Sequence, residues 1–214
     1  MLIAANDPQA LPWALDALER GELVVIPTDT VYGLAARLDR PDALERLYTA
    51  KGREADKAIP VLISDAERLP SLTFGAPGEV AEFAARFWPG PLTIVLPCAD
   101  TVPVLVTAGS GTIGVRMPAH PIALEIIEGC GGALAVTSAN RSGEPSLRVA
   151  SEVAEAIGES VEIIVDSGTA PGGVASTVIA LTEAGPQILR EGPIALDDLR
   201  TAWVETVGRS VGGG

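Results

Sequence analysis

Short apolar segments that alternate with amphipathic helical segments constrain the fold of this chain most strongly. Segment 22–27 reads as a buried strand that Pro27 ends, and segment 41–50 repeats apolar residues at helical spacing. Strands then cluster late in the chain. This pattern is typical of a twisted, open α/β sheet with mixed strand directions and flanking helices. The predicted helices are 8–20, 41–50, 77–88, 119–128, 148–157 and about 195–207, and the predicted strands are 22–27, 59–63, 92–97, 112–116, 133–137, 161–166, 175–181 and 186–190.

The length of 214 residues suits one domain with a sizeable core. Neither an internal repeat nor a low-complexity linker divides the sequence. We therefore predict a single domain over residues 1–207 and a disordered tail over residues 208–214.

The charge balance argues against broad nucleic-acid binding. The net charge is −13 and aromatic residues make up 4% of the chain, whereas nucleic-acid binders carry a basic footprint and often an aromatic stacking platform. We expect small anionic ligands in a pocket. Cys98 and Cys130 form no CxxC pair, which is typical of reduced thiols. Without a signal peptide pattern or an apolar run of roughly 18–20 residues, the chain is predicted to be cytoplasmic.

Polar segments follow several predicted strands, where ligands of open α/β sheets tend to bind. Each has an ordinary alternative, such as a capped turn or a polar loop. Hydroxyl-rich segments offer side-chain and backbone donors of the kind that cradle phosphate. The polar segments are PTDTVYGL (27–34), KGREADK (51–57), TIGVRMP (112–118), TSANRSGEPS (137–146) and the pair formed by 176–177 and 190–192.

The chain has only two lysines, and both Lys51 and Lys57 lie within one short segment. Every other basic residue is an arginine, so a position that needs only positive charge evidently uses arginine here. We interpret Lys51 and Lys57 as positions that require a compact ammonium. With Arg53 between them, they form a candidate clamp for phosphates. The alternative is a solvated turn.

Arg116 lies in an otherwise apolar strand, where alternation places it on one face with Thr112 and Gly114. A buried cation needs an anionic partner, which is either a ligand carboxylate or an internal acid. His120, the single histidine, is interpreted as a surface or helix-start residue. Metal-binding patterns, a Walker loop, GxGxxG and GxSxG are all absent from the sequence. The candidate site is therefore rich in Thr, Ser, Lys and Arg and has no obvious nucleophile or base. Such a site suits phosphoryl or nucleotidyl transfer, in which positioning and charge neutralisation supply most of the catalysis.

The motifs PTDTVYGL, KGR, WPGPLTIVL, TIGVRMP, TSANRSGEPS, STVIAL and ILREG resemble, in order and spacing, those of the threonylcarbamoyl-AMP synthase (YrdC-like) family. The resemblance covers about residues 10–200. It implies a concave open sheet and formation of threonylcarbamoyl-AMP and pyrophosphate from L-threonine, bicarbonate and ATP. Partner proteins would then pass the threonylcarbamoyl group to tRNAs that read ANN codons. Magnesium would arrive with ATP.

The family pattern implies specific site residues. Lys51 and Arg53 would be catalytic, and Leu62 stands where some members have a histidine near the threonine. The chain resembles the short family form, which lacks an additional C-terminal domain. Two alternatives remain open: an RNA- or ribosome-associated module without catalysis, and a carbamoyladenylate-forming carbamoyltransferase. The implied threonine-binding positions are Thr30, Arg116, Val136 and Ser176, and the implied ATP-binding positions are Arg53, Lys57, Thr112, Ser138, Asn140, Ser146 and Arg190.

Overall fold

The computed structural model describes residues 1–52, 54, 56–75, 78–182 and 184–212. Within these residues, ten strands form one sheet in the order β1-β8-β2-β3-β7-β4-β6-β5-β9-β10. The predicted α/β class with an open mixed sheet is therefore confirmed. The strands are β1 (Leu2–Ala4), β2 (Val24–Ile26), β3 (Gly33–Arg37), β4 (Val61–Ile63), β5 (Leu92–Pro97), β6 (Thr112–Arg116), β7 (Ala133–Ser138), β8 (Ile163–Asp166), β9 (Thr177–Thr182) and β10 (Gly185–Arg190).

The helices flank this sheet, and several begin with a proline at a position that needs no intrahelical N–H bond. Helix α2 ends at Lys51, because the next residue, Gly52, has a left-handed backbone (φ 57°) that terminates the helix. The helices are α1 (Ala10–Glu19), α2 (Pro41–Lys51), α3 (Leu69–Leu72), α4 (Gly78–Ala84), α5 (Val104–Thr107), α6 (Pro121–Gly129), α7 (Ala150–Ile157) and α8 (Leu196–Gly212), with 3-10 turns at Ala66–Arg68 and Gly158–Ser160.

Strand β3 lies in the middle of the sheet and was not predicted. It pairs antiparallel with β2 and with β7, so that Ala35 lies opposite Val24 and Val136. Its sequence GLAAR contains small residues and one leucine, which local strand propensity does not favour. Its place in the sheet comes from pairing with two neighbouring apolar strands, which a local pattern does not record.

Alternate residues of the central strands pack into two cores on opposite faces of the sheet. Leu34 belongs to the larger core, whereas its neighbour Ala35 belongs to the smaller one. Helices α1 and α6 cover the smaller core, and the other helices with buried core residues cover the larger one. The smaller core reaches Leu62 on β4 and includes none of the described residues of β6, β5, β9 or β10. That part of the face therefore has room for a ligand.

Most predicted boundaries differ from the structure by a few residues, and strand β1 and the short helices α3 and α5 were not predicted. Helix α4 is shorter than the predicted helix 77–88, and α8 is longer than the predicted helix 195–207. The division into a domain over 1–207 and a tail over 208–214 stays a prediction. Among the helices of the described ranges, none has the length and apolar character needed to cross a bilayer.

Candidate functional site

A cavity of about 230 Å³ opens on the sheet face that α1 and α6 leave uncovered. It crosses neighbouring strands β7, β4, β6 and β5, and the connection between β2 and β3 closes one end. Its wall combines hydroxyl groups, two arginines and a small apolar surface. The residues that line it are Thr28, Thr30, Val31, Tyr32, Gly33, Ala58, Pro60, Leu62, Thr93, Arg116, Val136, Thr137, Ser138, Ala175, Ser176 and Arg190.

Arg116 lies at the carboxyl end of β6 and is 5% exposed. Its Nε donates to the carbonyl of Gly90 at 2.9 Å, and Nη1 donates to Thr30 Oγ1 at 2.8 Å. Nη2 donates to Asp29 Oδ1 at 2.5 Å, which answers the question left by the sequence: the arginine has an internal acidic partner. Burial lowers the pKa of Arg116, the nearby Arg190 cation lowers it further, and Asp29 acts in the opposite direction.

Arg190 enters the cavity from β10 and is bound to Ser176, which immediately precedes β9. Its Nη2 donates to the Ser176 carbonyl at 2.8 Å and to the Ser176 hydroxyl at 3.1 Å. That hydroxyl also lies 2.7 Å from Thr93 Oγ1. Thr93 is a cavity residue that the sequence analysis missed. The sequence did contain a sign of its role: Thr93 is a polar residue between Leu92 and Ile94, and strand alternation places it on the opposite face from these two core side chains.

Lys51 ends α2 with its ammonium buried rather than open to solvent, since the residue is only 3% exposed. Its Nζ donates to the Ser138 carbonyl at 2.5 Å and to Asn140 Oδ1 at 3.2 Å, with Ser138 Oγ at 3.3 Å. The Lys51 carbonyl accepts the N–H of Ser142 at 2.8 Å. The polar segments KGREADK and TSANRSGEPS therefore meet in space, and Lys51 fixes the loop after β7 beneath the cavity residue Ser138.

The loop after β8 holds the connection between β2 and β3 in place. The Tyr32 hydroxyl donates to the Gly168 carbonyl at 2.7 Å, and the Gly173 N–H donates to the Thr30 carbonyl at 2.9 Å. Gly172 lies so close to this connection that a Cβ there would be 2.9 Å from the Thr30 Cα. These contacts fix Thr30 and Tyr32 as parts of the cavity wall.

His120 precedes α6, in agreement with its interpretation as a helix-start residue. Its Nε2 lies 3.2 Å from Ser167 Oγ. Burial lowers the pKa of the imidazole, and the negative charge of Asp29 raises it by a smaller amount. His120 is not among the cavity residues.

The structure brings only part of the predicted site together. Thr30, Arg116, Val136, Ser138, Ser176 and Arg190 line the cavity, and Lys51 and Asn140 lie directly behind Ser138. Lys57 forms an exposed ion pair with Glu54 at 2.7 Å. Arg53 lies outside the described residues. Thr112, Ser146 and Lys57 are not among the lining residues, and their assignment to ATP, like every predicted role, stays a prediction.

These features define an α/β protein with a cavity lined by arginines and hydroxyl groups on one face of an open sheet. The chain belongs to the Sua5/YciO/YrdC family, whose sequence model, described as "Telomere recombination", matches residues 16–192. The predicted family is thereby confirmed. The chain is also similar to Escherichia coli YciO, with a TM-score of 0.82, 25% identity and coverage of 93% of this chain and 98% of that structure.

Several relatives are named for one activity. The threonylcarbamoyl-AMP synthase of Pyrococcus abyssi is 46% identical over 85% of this chain and 54% of its own length. The putative threonylcarbamoyl-AMP synthase of Mycobacterium tuberculosis H37Rv is 36% identical over 86% of this chain and 84% of its own length. The structure of P. abyssi Sua5 complexed with L-threonine aligns with a TM-score of 0.90 at 41% identity, covering 94% of this chain and 60% of that one. The chain thus spans little more than half of the P. abyssi protein.

Proposed function

We propose that this protein forms L-threonylcarbamoyl-AMP and pyrophosphate from L-threonine, bicarbonate and ATP. This reaction would be the first step of threonylcarbamoyladenosine formation in tRNAs that read ANN codons. Relatives named threonylcarbamoyl-AMP synthase at 46% and 36% identity support the activity. We further propose a cytoplasmic protein that hands the adenylate to partner proteins of tRNA modification.

The observation that carries this proposal is the convergence of Arg116 and Arg190 on one hydroxyl-lined cavity. The whole chain has a net charge of −13, so this local positive site is built against the overall charge. Arg116 lowers its electrostatic cost by binding an anion, since burial and the nearby Arg190 cation both disfavour its charged form. Two substrates that carry anionic groups, the carboxylate of an amino acid and the phosphates of a nucleotide, suit two arginines that approach from different strands.

The threonine end of the site is proposed to lie at Arg116. Arginine binds carboxylates through planar, directed hydrogen bonds, and Arg116 is already held in one orientation by the protein. Leu62 and Val136 provide an apolar wall in the same cavity, which suits a methyl group. A complex of P. abyssi Sua5 with L-threonine supports an amino acid as ligand. Leu62 supplies only apolar contact where some family members have a histidine.

The nucleotide end is proposed to lie at Ser138 and Arg190, with Lys51 and Asn140 supporting the loop. Residues Arg53, Lys57, Thr112 and Ser146 complete the proposed ATP-binding set. Among the residues that line the cavity there is no carboxylate, and the described residues hold no group of three or more potential metal ligands. This wall suits magnesium that arrives bound to the ATP phosphates and neutralises their charge.

The proposed chemistry needs little from the protein besides orientation and charge. The threonine amine combines with bicarbonate to give a carbamate and water. A carbamate oxygen then attacks the α-phosphorus of ATP, a new P–O bond forms, and the bond to pyrophosphate breaks. Arg190 would offset the charge that develops on the leaving pyrophosphate, and Arg116 would hold the threonine carboxylate away from the reacting carbamate.

The two alternatives have less support. Similarity to a full-length HypF structure amounts to 20% identity and a TM-score of 0.74, which supports a shared fold only. An RNA-binding module would need a basic footprint, which the net charge of −13 does not favour.

The test is direct detection of the adenylate by mass spectrometry. The protein is incubated with ATP, magnesium, ¹³C-bicarbonate and L-threonine, and each substrate is omitted in turn. We expect a labelled product only in the complete mixture, with Arg190→Gln about 10²–10³-fold slower because one transition-state contact is lost. Arg46→Gln, which removes an exposed arginine paired with Glu22, is the matched control and should keep full rate. A product without threonine, or only with carbamoyl phosphate, would contradict the proposal.

A further inference from the structure

Asp29 connects two parts of the cavity wall without lining the cavity itself. It follows β2, and 14% of its side chain is exposed. Its Oδ1 accepts the N–H of Ala119 at 2.9 Å and the Nη2 of Arg116 at 2.5 Å. One carboxylate oxygen thus joins the connection after β2 to the end of β6 and to the segment that follows it.

Arg116 depends on such a partner because Arg190 lies nearby. Burial and the Arg190 cation both act against a charged guanidinium at Arg116, and Asp29 is the acid that opposes them. Gly90 and Thr30 supply two neutral acceptors, which fix two directions of the group. The bond to Asp29 fixes the third, so the remaining N–H groups of the guanidinium keep one direction relative to the cavity.

We propose that Asp29 is the positioning residue that aims Arg116 at the carboxylate of the amino-acid substrate. This inference rests on the proposed function, because it assigns a partner to Arg116 within that same site. Asp29 acts through Arg116 and does not touch the substrate. Pre-organisation of this kind improves binding because the guanidinium loses no freedom when the ligand arrives.

The opposite effect is the physical alternative. Asp29 occupies one side of the guanidinium, and its negative charge opposes the approach of a second carboxylate. If this competition dominated, removal of the charge would tighten the binding of threonine. The sign of the change therefore distinguishes positioning from competition.

The test compares two ligands that differ in the carboxylate. L-threonine and L-threoninol, in which a hydroxymethyl group replaces the carboxylate, are titrated calorimetrically into the wild-type protein, Asp29→Asn and Asp39→Asn. Asp39 forms a more exposed pair with Arg37 at 2.6 Å, at the end of β3 away from the cavity, and is the control for loss of a carboxylate paired with an arginine. Thermal melting and the binding stoichiometry report the folded fraction of each variant.

We expect Asp29→Asn to weaken L-threonine binding about tenfold, the order expected for one hydrogen bond to a charged group, and L-threoninol binding less than about twofold. Equal weakening of both ligands indicates a merely structural role, and tighter threonine binding indicates competition; either result overturns the inference. Asp29→Glu retains the charge but displaces the oxygens, so it should also lose preference for threonine. If Asp29→Glu keeps the wild-type preference for L-threonine over L-threoninol, the positioning role of Asp29 is overturned, even if Asp29→Asn does not fold. If the wild-type protein binds no threonine, the proposed function itself is wrong, and this inference fails with it.

Discussion

From the buried ammonium of Lys51 we predict two separately measurable effects of its removal, one on the free energy of unfolding and one on turnover. Replacing Lys51 by methionine keeps most of the buried stem but removes the donor to the Ser138 carbonyl and Asn140 Oδ1. Each buried acceptor left unsatisfied costs about 1–3 kcal/mol. Part of this cost is offset, because the variant no longer has to bury a desolvated ammonium when it folds. We expect a net loss of about 2–4 kcal/mol in the free energy of unfolding.

For a domain of this size, about 1 kcal/mol shifts Tm by roughly 2–4 °C, so Lys51→Met should melt about 5–15 °C lower. Its turnover should fall about 10²–10³-fold below the temperature of melting, because the loop that carries Ser138 is no longer fixed. Differential scanning calorimetry and the adenylate assay measure the two effects. Lys57→Met is the stability control: this lysine forms an exposed pair with Glu54, and its loss should change stability by less than about 0.5 kcal/mol. An unchanged Tm in Lys51→Met would refute the role of Lys51 in fixing this loop.

Two further predictions concern single positions around the cavity. The only histidine, His120, should titrate by NMR with a midpoint below its ordinary pKa of 6.5, and lower still in Asp29→Asn. Burial depresses the pKa of His120 in the folded state, so the unfolded protein takes up this proton at a higher pH than the folded protein does. The contribution of His120 to stability is therefore present above about pH 6.5 and is lost as the pH falls through the folded pKa. A titration midpoint above 6.5 for His120 contradicts this prediction. In Gly33→Ala, the new Cβ would lie 2.6 Å from Val136 Cγ1, so the Val136 side chain in the cavity wall must move. Calorimetry should show weaker threonine binding and a loss of about 1–3 kcal/mol in stability. Gly78→Ala, where a Cβ meets nothing within 4 Å, should match the wild-type protein, and equal behaviour of the two variants would argue against the contact.

Local sequence patterns predicted much of this molecule because many of its constraints are local. Apolar runs ended by proline or glycine located most strands, and alternation along β6 correctly placed Arg116 away from the core formed by Ile113 and Val115. The order of the motifs identified the family. Six of the residues that the family resemblance implied line one cavity, and their roles stay predictions.

The missed features depend on contacts between distant segments. β3 is a strand because β2 and β7 lie on either side of it, and no periodicity in GLAAR records those neighbours. The pairing of Arg116 with Asp29 joins residues 87 positions apart. The sequence identified Lys51 as an unusual cation, but its burial depends on where the loop after β7 lies. Charge is readable from residue type, whereas exposure is a property of the packed structure.

The position of β8 affects the order in which this sheet can assemble. β1 and β2 are close in sequence, yet β8 lies between them and hydrogen-bonds to both, with Leu2 opposite Ile164 and Val24 opposite Ile163. During synthesis, β1 therefore has no strand partner until the segment around Asp166 has left the ribosome. Pairings of such long sequence separation carry a large loop-closure cost and slow folding. The strand β1 therefore stays an unpaired edge until β8 inserts between it and β2.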